Sequence, residues 1–215
     1  MQVYNVKVAF FDLDDSLINK DASSLWIKWR IRHERWALVE GILALGSLYR
    51  SYKKGRISHR RLSRYYRTRT RGLSPDGYQE RVERFFRERG YLHIYPQAAS
   101  LLFAYRRQGV TLVLITGADD YVARAYGKAL GIEHVISNRL SVLDGRITGL
   151  ERPLCYGVGK VGLARTFLRE QGLGFADAAF YSDSHADLPL LEKVGQPVVL
   201  NPNDQLQKLA QERGW

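Results

Sequence analysis

The chain has 215 residues, is 45% hydrophobic and 26% charged, and carries a formal net charge of +11. That composition excludes a disordered or fibrous chain, and the length suits one sizeable core with one inserted subdomain. The single cysteine, Cys155, excludes an intramolecular disulfide and reads as a small buried residue in a reducing compartment.

In chain order, Val3 to Phe11 (VYNVKVAFF) predicts a buried strand that runs into the acidic segment DLDDS. This opening alternates like a strand and lacks the basic start and long apolar run of an export signal, so a cytoplasmic protein is expected. From Ala22 to Gly90 apolar residues recur at helical spacing, with Trp26, Trp29 and Trp36 as core aromatics. Ser74, Pro75 and Asp76 mark a helix start within it. The most apolar stretch, Trp36 to Tyr49, is interrupted by Glu40 and is shorter than the roughly 20 residues of a spanning helix. It is expected to be a core or interface helix.

After Pro96 helices and strands alternate. Gln97 to Gln108 is a helix ended by Gly109, and Val110 to Ile115 (VTLVLI) is a strand covered on both faces. Asp119 to Leu130 is a helix closed by Gly131. Val135 to Leu143 and Arg146 to Leu150, joined at Asp144-Gly145, read as a hairpin. Lys160 to Gln171 is a helix, Ala178 to Ser182 a strand and Asp187 to Val194 a helix. Pro197 to Leu200 is a strand and Gln205 to Arg213 the last helix.

This order implies an α/β fold: a doubly wound, Rossmann-like parallel sheet core with an inserted all-helical cap. The expected boundaries are residues 1–17 and 94–215 for the core and 18–93 for the cap. Charge marks the same division. From Lys20 to Tyr95 there are 19 Lys or Arg against 7 Asp or Glu, and elsewhere 14 against 15. The basic excess therefore lies in the insertion, either as a solvated face or facing something anionic.

In an open parallel sheet the site lies at the carboxyl ends of the strands. Asp12 and Asp14 end the first strand, Thr116 and Gly117 follow VTLVLI, and Asp183 follows AAFYS with Asp187 four residues on. Lys160 opens a helix after the glycine-rich GVGK. Several carboxylates near one point repel one another and call for a hard cation, and oxygen ligands suit Mg²⁺. A lysine and a hydroxyl can stabilise phosphoryl oxygens, and an acid two residues from a nucleophile can protonate a leaving oxygen. Singly, each piece has an ordinary reading: Asp187 as a helix cap, Lys160 as a surface lysine.

FFDLDDSL, LITGA, GVGK and YSDSHADLPLL together resemble the four motifs of the haloacid dehalogenase superfamily, over essentially the whole chain. The large helical insertion after the first motif looks like the cap of the phosphoserine-phosphatase-like subgroup. The resemblance implies Asp12 as nucleophile and Asp14 as general acid and then base. It implies a Mg²⁺ site of Asp12, Asp14 through its carbonyl, and Asp183, with Asp187 orienting the metal shell. Thr116, the Gly117 backbone and Lys160 would hold phosphoryl oxygens. Ser16 stands where the family usually has threonine, and Asp15 where it often has glycine. Asp21 occupies the place of a cap glutamate that meets a substrate amine, or else it caps the helix that follows.

The function so implied is Mg²⁺-dependent hydrolysis of a phosphomonoester through an aspartyl-phosphate. A small phosphorylated metabolite of the amino-acid or amino-alcohol type is the expected substrate. Thr116-Gly117-Ala118 and Ala186 depart from the phosphoserine pattern. The rival substrate is a phospholipid head group of the phosphatidylglycerophosphate type, with the basic run Arg56 to Arg71 meeting an anionic membrane. A nucleic-acid-binding protein on a phosphatase scaffold is a third reading, which no recognised nucleic-acid motif supports. Transfer of the phosphoryl group to another alcohol and the oligomeric state both stay open. His185 is expected to face solvent, and His33, His59, His93 and His134 lack metal-ligand spacing.

Overall fold

A computed structural model describes residues 4–34, 59–70, 73–202 and 204–215. The expected helix at Trp36 to Tyr49 lies outside the described residues. Five parallel strands form one sheet in the order β3-β2-β1-β6-β7. They are β1 (Val8–Phe11), β2 (Thr111–Asp119), β3 (His134–Asn138), β6 (Ala178–Ser182) and β7 (Gln196–Val199). A separate antiparallel hairpin holds β4 (Leu140–Leu143) and β5 (Arg146–Leu150).

The central strands are apolar without alternation because both faces are covered. Ala9, Phe11, Leu112, Leu114, Ala179 and Tyr181 point to one core. They meet Leu101, Leu102 and Tyr105 of α4 (Pro96–Arg107) and Val122, Ala123 and Tyr126 of α5 (Asp120–Leu130). Val8, Phe10, Val113, Ile115, Ala178 and Phe180 point to the other. There they meet α6 (Val158–Glu170), α7 (Leu188–Leu191) and α8 (Asp204–Arg213).

Between β1 and α4 the named elements among the described residues are helical: α1 (Ala22–His33), α2 (His59–Arg69), α3 (Pro75–Glu88) and a 3-10 turn at Gly90–His93. Their buried Trp26, Trp29, Tyr66, Tyr78, Val82 and Phe85 belong to the first of the two cores. The insertion leaves and returns side by side. Asn19 N–H donates to the His93 carbonyl at 2.9 Å and Tyr95 N–H to the Leu17 carbonyl at 3.0 Å. Among the described residues no helix is long and apolar enough to cross a membrane.

Three elements differ from the sequence expectation. The first strand begins at Val8 because both its neighbours, β2 and β6, begin opposite that residue. The expected long arm Val135 to Leu143 is two strands: β3 joins the main sheet beside β2, exposed Arg139 breaks the run, and β4 pairs with β5. The helix expected over Asp187 to Val194 is confined to Leu188–Leu191, preceded by a 3-10 turn.

Candidate active site

Asp12 leaves the carboxyl end of β1, where its N–H still bonds the Tyr181 carbonyl of β6 at 2.8 Å. Its carboxylate is buried and accepts from Lys160 Nζ at 2.6 Å. The same ammonium donates to Asp187 Oδ2 at 2.7 Å, and Ser182 Oγ donates to that oxygen at 2.8 Å. Lys160 sits in the first turn of α6 because the two glycines before it let the chain turn tightly. Gly157 has φ +53°, and a Cβ on Gly159 would run into the Leu154 carbonyl. Asp187 adopts the N-cap position of α7, but its side chain makes no cap bond and turns to Lys160 instead.

Asp14 follows on the same turn, and its Oδ1 accepts from Ala22 N at 2.7 Å, tying it to the start of α1. Asp21 caps α1 through Ser24 N–H and also lies close enough to Asp14 to repel it. Both sequence readings of Asp21 are thus geometrically open. Ser16 is buried and its Oγ has no hydrogen-bond partner among the described residues. Asp15 has φ +49°, so the family's frequent glycine there answers to backbone shape. Its carbonyl accepts from Asn201 Nδ2 at 2.8 Å.

At the end of β2, Thr116 is fully buried and its Oγ1 accepts from Ala118 N at 3.2 Å. Two polar residues that the sequence reading passed over support this turn. Asn138, the last residue of β3, donates from Nδ2 to the Gly117 carbonyl at 2.7 Å and accepts from Cys155 N at 2.8 Å. Ser182 holds Asp187. Ser182 is a polar residue ending an apolar strand, which is the signal that could have found it, whereas Asn138 stands inside a run that reads as one strand.

His185 is half-buried, with Nδ1 shielded from solvent and unpartnered among the described residues, rather than facing solvent as expected.

Burial dominates the electrostatics. It pushes the Asp12 carboxyl up to about 6, against the pull of Lys160. Burial, with repulsion from Asp21 and Asp12, holds Asp14 well above the usual carboxylate range. Burial and Asp12 push Asp183 up to about 8. Burial alone would lower Lys160, but Asp12 and Asp187 outweigh it and keep the ammonium charged. Burial lifts Cys155 to about 12, so it stays a thiol. Lys160 bridges Asp12 and Asp187, and Asp14 and Asp183 lie close enough to Asp12 for mutual repulsion. Among the described residues no three acidic, histidine or cysteine side chains form a ready-made cage. The donor set of anionic oxygens with excess negative charge fits a hard divalent ion that keeps part of its water.

The sequence from residue 9 to residue 192 matches the haloacid dehalogenase-like hydrolases. The chain belongs to that family. A histidinol-phosphatase of Neisseria meningitidis serogroup C (strain 8013) is 29% identical over 214 residues, 97% of this chain and 96% of that protein. The crystal structure of a protein of unknown function from Bordetella pertussis Tohama I superposes with a TM-score of 0.88 at 28% identity. It covers 99% of this chain and 97% of that one. A substrate-bound phosphoserine phosphatase superposes at 0.68 with 15% identity, over 96% and 91% of the two chains, a likeness of fold. This haloacid dehalogenase-like hydrolase thus carries its acidic cluster at the carboxyl edge of the parallel sheet.

Proposed function

We propose that this chain is a Mg²⁺-dependent phosphatase that works through an aspartyl-phosphate on Asp12. The observation that carries the reading is the single ammonium of Lys160 held between Asp12 and Asp187. It keeps a carboxylate ionised in a buried place and leaves a cation where phosphoryl oxygens would arrive. Asp12 attacks phosphorus in line with the leaving oxygen. Asp14, whose burial favours the protonated form, donates its proton to that oxygen and then accepts one from the attacking water. The Thr116 hydroxyl, the Gly117 N–H and Lys160 hold the equatorial oxygens, and Ser16 adds a hydroxyl at the turn. Asp12, Asp183 and the Asp14 carbonyl would hold the ion, with Asp187 orienting its shell. The bound ion supplies charge neutralisation that lets a carboxylate approach phosphorus.

For the substrate we favour a primary-alcohol phosphate that carries an ammonium group. Asp21, beside Asp14 at the root of the insertion, is the anionic partner for such an amine. The nearly full-length similarity to a histidinol-phosphatase supports this class. The insertion, residues 18–93, acts as a cap that meets the leaving group. The test is phosphate release with Mg²⁺ from histidinol phosphate, phosphoserine and nucleotides, comparing wild type with Asp12→Asn. Turnover abolished by the substitution supports the reading. Turnover that survives it removes Asp12 as nucleophile.

One observation favours a second substrate. Arg60, Arg61, Arg64 and Arg67 are exposed on α2, and none forms an ion pair among the described residues. Such a stripe suits an anionic membrane and a phospholipid head-group phosphate. Absence of binding to anionic vesicles at low salt would remove this version.

A further inference from the structure

Asp119 closes β2 two residues after Gly117 and opens α5. Its Oδ1 accepts from Tyr121 N and Val122 N, both at 3.1 Å, as a helix cap does. Its Oδ2 turns the other way, into the insertion. There it accepts from Tyr78 OH of α3 at 3.0 Å and from Tyr66 OH of α2 at 3.4 Å. The Tyr78 oxygen in turn accepts from Trp26 Nε1 of α1 at 3.1 Å. Asp119, Tyr66, Tyr78 and Trp26 are all buried. A carboxylate has about four acceptor sites, and here four donors take them. Three separate helices of the insertion thus converge, through hydroxyls and one indole, on a single core carboxylate.

The neighbouring contacts between insertion and core are aromatic edges on one side, Tyr78 on Tyr121 at 5.3 Å and Phe86 on Tyr126 at 5.0 Å, and hydrogen bonds to the hairpin on the other, where Leu150 N–H donates to Ser63 Oγ at 3.0 Å and Ile147 N–H to the Leu73 carbonyl at 3.3 Å. Edge-to-face ring pairs have a preferred geometry but a broad one, with centroids anywhere from about 4.5 to 7 Å apart, so they fix position less sharply than hydrogen bonds do. Hydrogen bonds to a buried carboxylate are directional and short-ranged, and an unmade one leaves a charge unsatisfied. The rings therefore supply adhesion, the β5 bonds hold α2 and the chain after it to the hairpin, and Asp119 is the core group whose hydrogen bonds reach both α2 and α3. Register matters for the site, because the insertion also carries Asp21, and Ala22 N–H bonds Asp14.

We infer that Asp119, through Tyr66 and Tyr78, is a positioning residue that sets the pose of the insertion over the phosphoryl site and thereby the choice of leaving group. The inference rests on the phosphatase reading above for its kinetic consequence alone. It predicts a split. An ester whose alcohol reaches the insertion depends on the junction, whereas acetyl phosphate, with little to present to the insertion, does not.

The test uses the full chain with Tyr66→Phe and Tyr78→Phe combined, which removes both hydroxyls and keeps the rings. Circular dichroism first establishes that the variant is folded. With Mg²⁺, KM for histidinol phosphate is expected to rise about tenfold, while kcat/KM for acetyl phosphate stays within about twofold of wild type. Equal losses on the two substrates, or no loss on either, would overturn the inference. Hydrogen exchange gives a second readout that needs no turnover. Amides of α2 and α3 are expected to exchange faster in the variant while those of β1 and β6 keep their protection. Unchanged exchange in α2 and α3 would also overturn it. Should the double variant fail to fold, Tyr66→Phe alone, which removes the longer of the two bonds, is judged by the same exchange criterion. Wild type inactive on every ester would reject the phosphatase reading, and the exchange result would still decide the junction.

Discussion

Lys160 Nζ and Asp12 Oδ1 lie 2.6 Å apart although 148 residues separate them in the chain. The pair joins the end of the first strand to the start of α6, and both side chains are almost wholly withdrawn from water. The contact stabilises the fold only while both partners are present.

Replacing Lys160 by Met keeps the volume and removes the cation. Asp12 and Asp187 are then buried anions without a counter-charge, a situation that typically costs about 3–5 kcal/mol. Urea unfolding of Lys160→Met at neutral pH without Mg²⁺ is expected to show a loss of that order. Phosphatase activity is expected to fall at least ~100-fold, since a donor to the transferring group is gone. A variant as stable as wild type would show that the pair contributes no net stability.

Asp119 gives the pH dependence a sign that can be checked. Burial raises its carboxyl from 3.8 to about 6 in the fold, although Tyr121, Val122 and Tyr78 donate to it. Tyr65, Tyr66, Tyr78, Tyr121 and Asp120 face it, and Arg30 lies behind Tyr78. Because the folded pKa is raised, the contribution is fully present below 3.8 and is lost as pH rises through about 6. The two limits differ by ~3 kcal/mol. Asn caps helices as well as Asp and does not titrate. The stability of wild type minus that of Asp119→Asn, from urea midpoints, is expected to decline between pH 4 and pH 6 and to level off above pH 7. A flat or rising difference would contradict this account.

The same residue shows where sequence reading stops. The apolar runs of β1, β2 and β6 are legible because a strand covered on both faces needs no alternation. Asp12, Thr116 and Asp183 are legible as candidates because each follows such a run. Asp119 already has a complete local explanation as a helix cap. Its other partners, Tyr66 and Tyr78, are 53 and 41 residues upstream, and no local pattern reports them. Asn138 is hidden for a related reason. Val135 to Leu143 is rich in β-branched and apolar residues and reads as one strand, so Asn138 does not show as a strand end. Only the pull of its side chain towards Gly117 and Cys155 marks the place where the chain leaves the sheet.

Two glycines of the same helix are expected to respond oppositely to alanine. A Cβ on Gly159 would overlap the Leu154 carbonyl, a backbone atom that cannot swing aside, so Gly159→Ala must displace the first turn of α6 with Lys160 on it. A Cβ on Gly162 would meet nothing within 4 Å, and helix propensity favours alanine there by about 0.5–1 kcal/mol. Thermal melts are expected to fall for Gly159→Ala, with activity falling alongside, and to rise for Gly162→Ala with activity kept. A rise for both would mean that the turn before α6 relaxes freely.

Asn138 offers the sharpest test of how the Thr116-Gly117 turn is held, because its two ends do different things. Nδ2 donates to the Gly117 carbonyl and Oδ1 accepts from Cys155 N–H, so both loops are pinned by one planar amide. Asn138→Ala leaves a buried carbonyl and a buried N–H unpaired, at about 1–3 kcal/mol each. Asn138→Asp keeps the acceptor for Cys155 but sets carboxylate lone pairs against the Gly117 carbonyl, 2.7 Å away in the parent. With the side chain held in place, the folded variant removes that repulsion by protonating the new carboxyl, so its folded pKa rises. Its stability deficit is then present at neutral pH and shrinks as pH falls towards the unfolded carboxyl value near ~3.9. The deficit of Asn138→Ala has no such dependence. Urea midpoints for the two variants at pH 4.5 and pH 7.5 decide the matter. Equal deficits for Asn138→Asp at both values would mean that the side chain has turned away from Gly117, and that the amide does not hold the turn.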